Sequence, residues 1–243
     1  MGKLAGKTAL VTGAGRGIGK GIARALAREG ADMLITSRTL EQLQETAAEV
    51  EQLGVRVIIE PGDIGSESDV ERIFARFRDE FDRLDLLVNN AGAFNGGPLD
   101  ELPLADWDHV INTNLRGPFM CTQRAMQIMK PQGAGRIINI GSISAQRVRY
   151  NSAPYSTSKF GLTGLTHVTA LEGREHGITC GCLHPGNILT ERRDASHSEA
   201  DQEPMIAVDD ISEVALLMAT LPANVAMLES IVLPHQQLYV GRG

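Results

Sequence analysis

Short apolar runs alternate with amphipathic stretches along the whole chain, and no other feature limits the fold more. The runs are "KTALVT" (7–12), "DMLITS" (32–37), "VRVIIE" (55–60), "LDLLVN" (84–89), "RIINIG" (136–141), "ITCGCL" (178–183) and "ESIVLP" (229–234). Most are continuously apolar, as expected of parallel strands covered on both faces. The stretches between them carry helical spacing. In 18–29, Ile18, Ile22, Ala25, Leu26 and Ala27 form one face and Lys20, Arg24 and Arg28 the polar one. Further helices are expected over about 40–53, 67–81, 104–130, 154–176 and 210–219. Repeated strand–helix alternation implies right-handed crossovers, hence an α/β fold: a doubly wound, mostly parallel seven-stranded sheet with helices on both faces. No Ser/Gly/Pro-rich linker and no internal repeat interrupts it, so residues 1–243 read as a single domain.

Composition narrows the function classes. Hydrophobic residues make up 42% of the 243, enough for a sizeable core. No apolar run approaches the roughly 20 residues that span a bilayer. The N-terminus "MGKLAGKTALVTG" has no secretory pattern. A net charge of −7 argues against nucleic acid as a partner, since phosphate binding needs a basic face. Three cysteines, an odd and low number, fit a reducing compartment, and a cytoplasmic location is expected.

In a doubly wound sheet, ligands sit beyond the carboxyl ends of the strands. The first such segment is "TGAGRGIG" (12–19), with Gly13, Gly17 and Gly19 in a G-x-x-x-G-x-G spacing and Gly15 in addition. Glycines let backbone approach a ligand closely, and the helix that follows offers free N–H groups to a pyrophosphate. Lying after strand one and before helix one, the stretch reads as a dinucleotide fingerprint. The second strand ends "ITSRT", with Ser37 and Arg38 where an NAD enzyme usually carries an acid for the ribose hydroxyl. Arg16 is a second nearby cation. Two guanidiniums without a carboxylate suit a 2′-phosphate, so NADP(H) is the expected cofactor.

"PYSTSK" (154–159) places Tyr155 and Lys159 one helical turn apart. A phenol ordinarily titrates near 10, too high for easy proton exchange at neutrality. A lysine on the same face favours the phenolate. Pro154 suits a helix start, and Ser152 is a plausible cap, which puts Tyr155 in the first turn.

With "NNAG" (89–92), "NTN" (112–114), "GSIS" (141–144), "YSTSK" (155–159) and "PGNILT" (185–190) at successive strand ends, the chain resembles the short-chain dehydrogenase/reductase family over residues 5 to about 220. Within it, the chain is similar to 3-oxoacyl-carrier-protein reductases and ketone reductases. The resemblance implies a Rossmann-like fold and a catalytic set of Ser142, Tyr155, Lys159 and Asn114. In that family the asparagine bends its helix and holds a water that relays protons from the lysine. The resemblance further implies cofactor contacts from Gly13, Arg16, Gly17, Ile18, Gly19, Ser37 and Arg38. Others would come from Asp63 (adenine), Asn90, Ala91, Gly92, Tyr155, Lys159, Pro185, Gly186, Ile188 and Thr190. The expected reaction is hydride transfer between NADP(H) and a small carbonyl or secondary alcohol, with Tyr155 as general acid/base and Ser142 donating to the substrate oxygen. A 3-oxoacyl-carrier-protein reductase is the alternative, and a non-catalytic NADP(H) sensor a remote one. A homo-oligomer, a tetramer by resemblance, is implied, with a substrate loop around 187–208.

Other segments read less sharply. Cys180, Cys182 and His184 share one face of a strand, but they read as buried sheet residues, and no metal site is expected. Arg147 and Arg149 in "QRVRYNS", with Arg192 and Arg193, could favour an anionic or carrier-tethered substrate. Tyr150, without a lysine four residues on, reads as pocket wall. The end, "ESIVLPHQQLYVGRG", departs from the "VDGG" with which family members commonly close, and could serve a subunit contact.

Overall fold

The computed structural model describes residues 2–191 and 203–239. Its centre is a seven-stranded, all-parallel sheet: β1 (Thr8–Thr12), β2 (Asp32–Thr36), β3 (Val57–Ile59), β4 (Leu86–Asn89), β5 (Gly135–Ile140), β6 (Ile178–Pro185) and β9 (Glu229–Val232), in the order β3-β2-β1-β4-β5-β6-β9. The doubly wound sheet expected from the alternation is therefore present. The runs at 55–60 and 229–234 form shorter strands than their apolar content indicated.

Alternation along each strand divides the core into two layers. Ala9, Val11, Met33, Ile35, Leu86 and Val88 face one layer, with Ile22, Leu26, Leu43 and Val50. These last come from α1 (Gly17–Arg28) and α2 (Leu40–Glu51), and α7 (Val208–Thr220) adds Ile211 and Ala215. Leu10, Leu34, Leu87 and Ile137 face the other layer, with Phe74 and Phe77 of α3 (Glu67–Glu80) and Met126 and Met129 of α5 (Gly117–Gln132). Each fully buried large side chain of this kind stabilises by about 1.5–3 kcal/mol. A polar ladder lies on the same face of the sheet as Leu87 and Ile137. Asn89 donates to Asn139 Oδ1 (2.9 Å) and Thr122 Oγ1 (3.1 Å), and Asn139 donates to Thr166 Oγ1 (2.8 Å).

The helix expected over 104–130 is not continuous. It runs as α4 (Leu104–Ile111), a π-helical turn (Asn112–Arg116) and then α5. Pro118 has no N–H, so the Asn114 carbonyl lacks its α-type donor. Gly117 lies so close to the loop below that a Cβ there would come 2.8 Å from the Ile64 carbonyl oxygen. A wide turn follows from those two residues.

The last long helix, α6 (Ala153–Gly173), starts where Pro154 indicated, and Tyr155 lies in its first turn. Ser152 stands at the cap position but does not cap. Its hydroxyl donates to the Arg149 carbonyl (2.6 Å) and bonds the Ser156 hydroxyl (2.8 Å). Within the expected substrate loop, β7 (Ile188–Leu189) and β8 (Ile206–Ala207) pair as a small parallel ribbon, which the sequence did not indicate. Arg192 and Arg193 lie outside the described residues.

Candidate active site

The strand order reverses around β1 and β4, and there, beyond the strand ends, lies a cleft of about 770 Å³. Gly13, Arg16, Gly17 and Ile18 line it, as do Ser37, Arg38, Asp63, Asn90, Ala91 and Gly92. Ser142, Tyr155, Lys159, Pro185, Gly186, Ile188 and Thr190 complete the expected set that reaches it. Gly19 and Asn114 do not line it.

The glycine loop is built for close approach. Gly13 has φ +65°, and a Cβ on it would stand 2.7 Å from Ala91 Cα. Gly19 acts from beneath, where a Cβ would collide at 2.3 Å with Asn90 Nδ2 and the Gly13 carbonyl oxygen. Asn90 Nδ2 in turn donates to the carbonyls of Thr12 (3.0 Å) and Gly13 (3.1 Å), tying the loop to the end of β4. The N–H of Gly17, first in α1, donates to a Glu191 carboxylate oxygen at 3.1 Å. The carboxylate occupies the donor that a pyrophosphate would use, so a bound dinucleotide would displace it from this N–H. Arg16 and Arg38 are exposed and have no ion-pair partner among the described residues.

At the other end of the cleft, Lys159 is 5% exposed and donates from Nζ to the Ile140 carbonyl (2.8 Å), leaving further N–H donors. Nζ lies 5.6 Å from the centre of the Tyr155 ring. Phe94 packs edge-on against that ring at 5.0 Å. Ser142 Oγ accepts the Ser144 N–H (3.1 Å), so its own hydroxyl hydrogen can turn into the cleft. Asn114 sits behind, buried in the π turn. It brackets Ala93, accepting from N–H (2.7 Å) and donating to the carbonyl (2.9 Å). It also donates to Ser158 Oγ (3.2 Å), which donates to the Tyr155 carbonyl (2.7 Å).

Arg149 lies at the mouth with its guanidinium 3.2 Å from the Glu203 carboxylate, which also accepts from Asn187 Nδ2 (2.7 Å). Arg147 stacks over the Tyr239 ring at 5.8 Å. Tyr150 lines the cleft while remaining fully exposed. Cys180, Cys182 and His184 are buried, and burial pushes the Cys182 thiol up to about 12. Among the described residues no His/Cys/Asp/Glu group is placed to hold a metal. Sequence reasoning passed over Ser144, Asn187 and Glu191. The serine falls inside the quoted "GSIS", but nothing local announces what the other two reach.

Residues 7–201 match the short chain dehydrogenase family. The chain is 36% identical to the (2S)-[(R)-hydroxy(phenyl)methyl]succinyl-CoA dehydrogenase subunit BbsD of Thauera aromatica, over 88% of this chain and 89% of the relative. A metagenomic short-chain oxidoreductase in complex with NADP superposes with TM-score 0.85 at 32% identity, covering 97% of this chain and 100% of that one. A Burkholderia cenocepacia short chain dehydrogenase, also in complex with NADP, superposes with TM-score 0.86 at 34% identity, covering 95% and 97%.

Proposed function

The chain belongs to the short-chain dehydrogenase family and is an oxidoreductase; on that premise we propose that it reduces ketones with NADPH, reversibly, using Tyr155 as the acid. The observation that carries this reading is convergence in one cleft. Tyr155, Lys159 and Ser142 stand at one end, and at the other the glycine loop with Arg16 and Arg38, which have no ion-pair partner among the described residues.

A dinucleotide fits the residues present. Its pyrophosphate would lie against Gly17 and α1, its 2′-phosphate between Arg16 and Arg38, and its adenine near Asp63. The Pro185–Thr190 segment would hold the carboxamide. When bound, the nicotinamide supplies the hydride for the carbonyl carbon. The protein's own groups handle the oxygen. Ser142 donates a hydrogen bond to it as negative charge develops, with Ser144 N–H fixing the serine's orientation. Tyr155 gives its phenolic proton, and the nearby Lys159 ammonium favours the phenolate that results. Asn114 supports this from behind through Ala93 and Ser158, and a water at its carbonyl would complete a proton relay from Lys159. In the oxidative direction the same groups act in reverse.

Two NADP-bound structural neighbours support the cofactor assignment. One similar relative is named for a CoA thioester, which keeps 3-oxoacyl thioesters among the candidate substrates. The test is a spectrophotometric panel of simple ketones, diketones, 3-oxoacyl esters and 3-oxoacyl-CoA and carrier-protein thioesters, each with NADPH and with NADH. Turnover of a ketone or diketone at least about tenfold better with NADPH is expected. Preference for NADH would remove the cofactor assignment, and turnover of thioesters alone would replace the ketone assignment.

A further inference from the structure

His184 has no part in the reaction described above, yet it is fully buried directly behind the serine. Its Nδ1 lies 3.0 Å from the Ser142 carbonyl oxygen, an atom that can only accept. Burial lowers the imidazole from its ordinary 6.5, although the Ser142 carbonyl and Glu229 favour the charged ring. A ring neutral at pH 7 carries one N–H; the 3.0 Å contact to the Ser142 carbonyl calls for it at Nδ1, whereas the longer contact from the Ser142 N–H to the same nitrogen (3.4 Å) would call for a bare Nδ1. With the proton on Nδ1, Nε2 carries a lone pair, and the Glu229 carboxylate 3.4 Å away makes no hydrogen bond to it.

Glycine 141 makes room for this arrangement: a Cβ there would stand 2.6 Å from Nδ1. Three successive residues at the end of β5 are therefore pinned. The Ile140 carbonyl is held by Lys159 (2.8 Å), Gly141 N–H donates to the Leu183 carbonyl (2.7 Å), and the Ser142 carbonyl is held by His184.

We propose that His184 is a positioning residue, whose Nδ1–H holds the Ser142 backbone so that the serine hydroxyl meets the substrate oxygen. This rests on the assignment of Ser142 to the reaction. Glu229, on the neighbouring strand β9, is itself engaged by His167, whose Nε2 lies 2.7 Å from its carboxylate.

Two measurements decide it. In nitrogen-15 NMR of the wild-type protein, the His184 ring, identified by its loss in His184→Asn, should show a protonated Nδ1. A bare Nδ1 with protonated Nε2 would overturn the proposal. In kinetics with the panel substrate turned over fastest, His184→Leu should lower kcat about tenfold without weakening NADPH binding. His184→Asn, whose amide can stand in for Nδ1–H, should recover most of that loss. In a Ser142→Ala background, His184→Leu should cost less than about twofold, because the group it positions is gone. Equal activity of the Leu and Asn variants, or the full loss recurring in the Ser142→Ala background, would refute the positioning role. Full activity of Ser142→Ala alone would remove the serine assignment and this inference together. An impaired Ser142→Ala beside a fully active His184→Leu would remove this inference only.

Discussion

At the scale of single residues, the candidate chemistry depends on one phenol and its surroundings. Tyr155→Phe keeps the ring against Phe94 and removes the hydroxyl that carries the proton. Turnover should fall by at least about 10²–10⁴-fold with the NADPH dissociation constant unchanged, measured by steady-state kinetics and fluorescence titration. Residual activity near wild type would exclude Tyr155 as the acid. The tyrosine and lysine were legible in the sequence because one helical turn fixes their relation whatever the rest of the chain does. Arg149 shows the opposite case. In the sequence it is a loop cation that could meet an anionic substrate, whereas the fold sets Glu203 beside it. That pairing joins residues 54 apart in sequence, and no local pattern reports it.

At the scale of elements, the strand ends are fastened by side chains as well as by the ladder. Asp85, just before β4, accepts from the Thr8 N–H (3.1 Å), from Arg83 (2.6 and 2.9 Å) and from Lys7 (3.1 Å). Burial opposes its charge, but these donors outweigh it and hold the carboxyl below 3.8. A depressed carboxyl stabilises fully above its unfolded value, and the contribution is lost as pH falls below it. Asp85→Asn should therefore cost about 1–2 kcal/mol at pH 7 in urea unfolding, and the gap to wild type should narrow below about pH 4. A gap independent of pH would mean that the charge contributes nothing. The break in the helix between α4 and α5 was legible in part. "RGPF" carries a glycine and a proline, both helix breakers, yet a wide π turn and a kink satisfy that signal equally well. The approach of Gly117 to Ile64, a contact across the fold, selects the wide turn.

At the scale of the whole molecule, α6 exposes Phe160 (49%), Val168 (52%) and Leu171 (63%) along one stripe, and Phe119 (49%) is exposed on α5. Exposed apolar side chains so grouped mark an association surface. The prediction is a homotetramer, and light scattering should give about four times the 26.2 kDa chain mass. Glutamate at Phe160 and Leu171 should lower that mass, and a monomeric wild type would refute the prediction. Among the described residues no helix is long and apolar enough to cross a membrane. The sequence by itself determined the sheet, because each strand's apolar run and each helix's 3.6-residue period must be buried locally whatever lies beside them. It also determined which strand ends carry polar and glycine-rich segments. The tertiary structure alone decided how those ends act on one another. It set a carboxylate on the first N–H of α1, an asparagine behind the tyrosine, and a histidine under the serine carbonyl. The reason is physical: hydrogen bonds and ion pairs form between atoms near in space, and in a parallel sheet neighbouring strands are separated in sequence by an entire crossover.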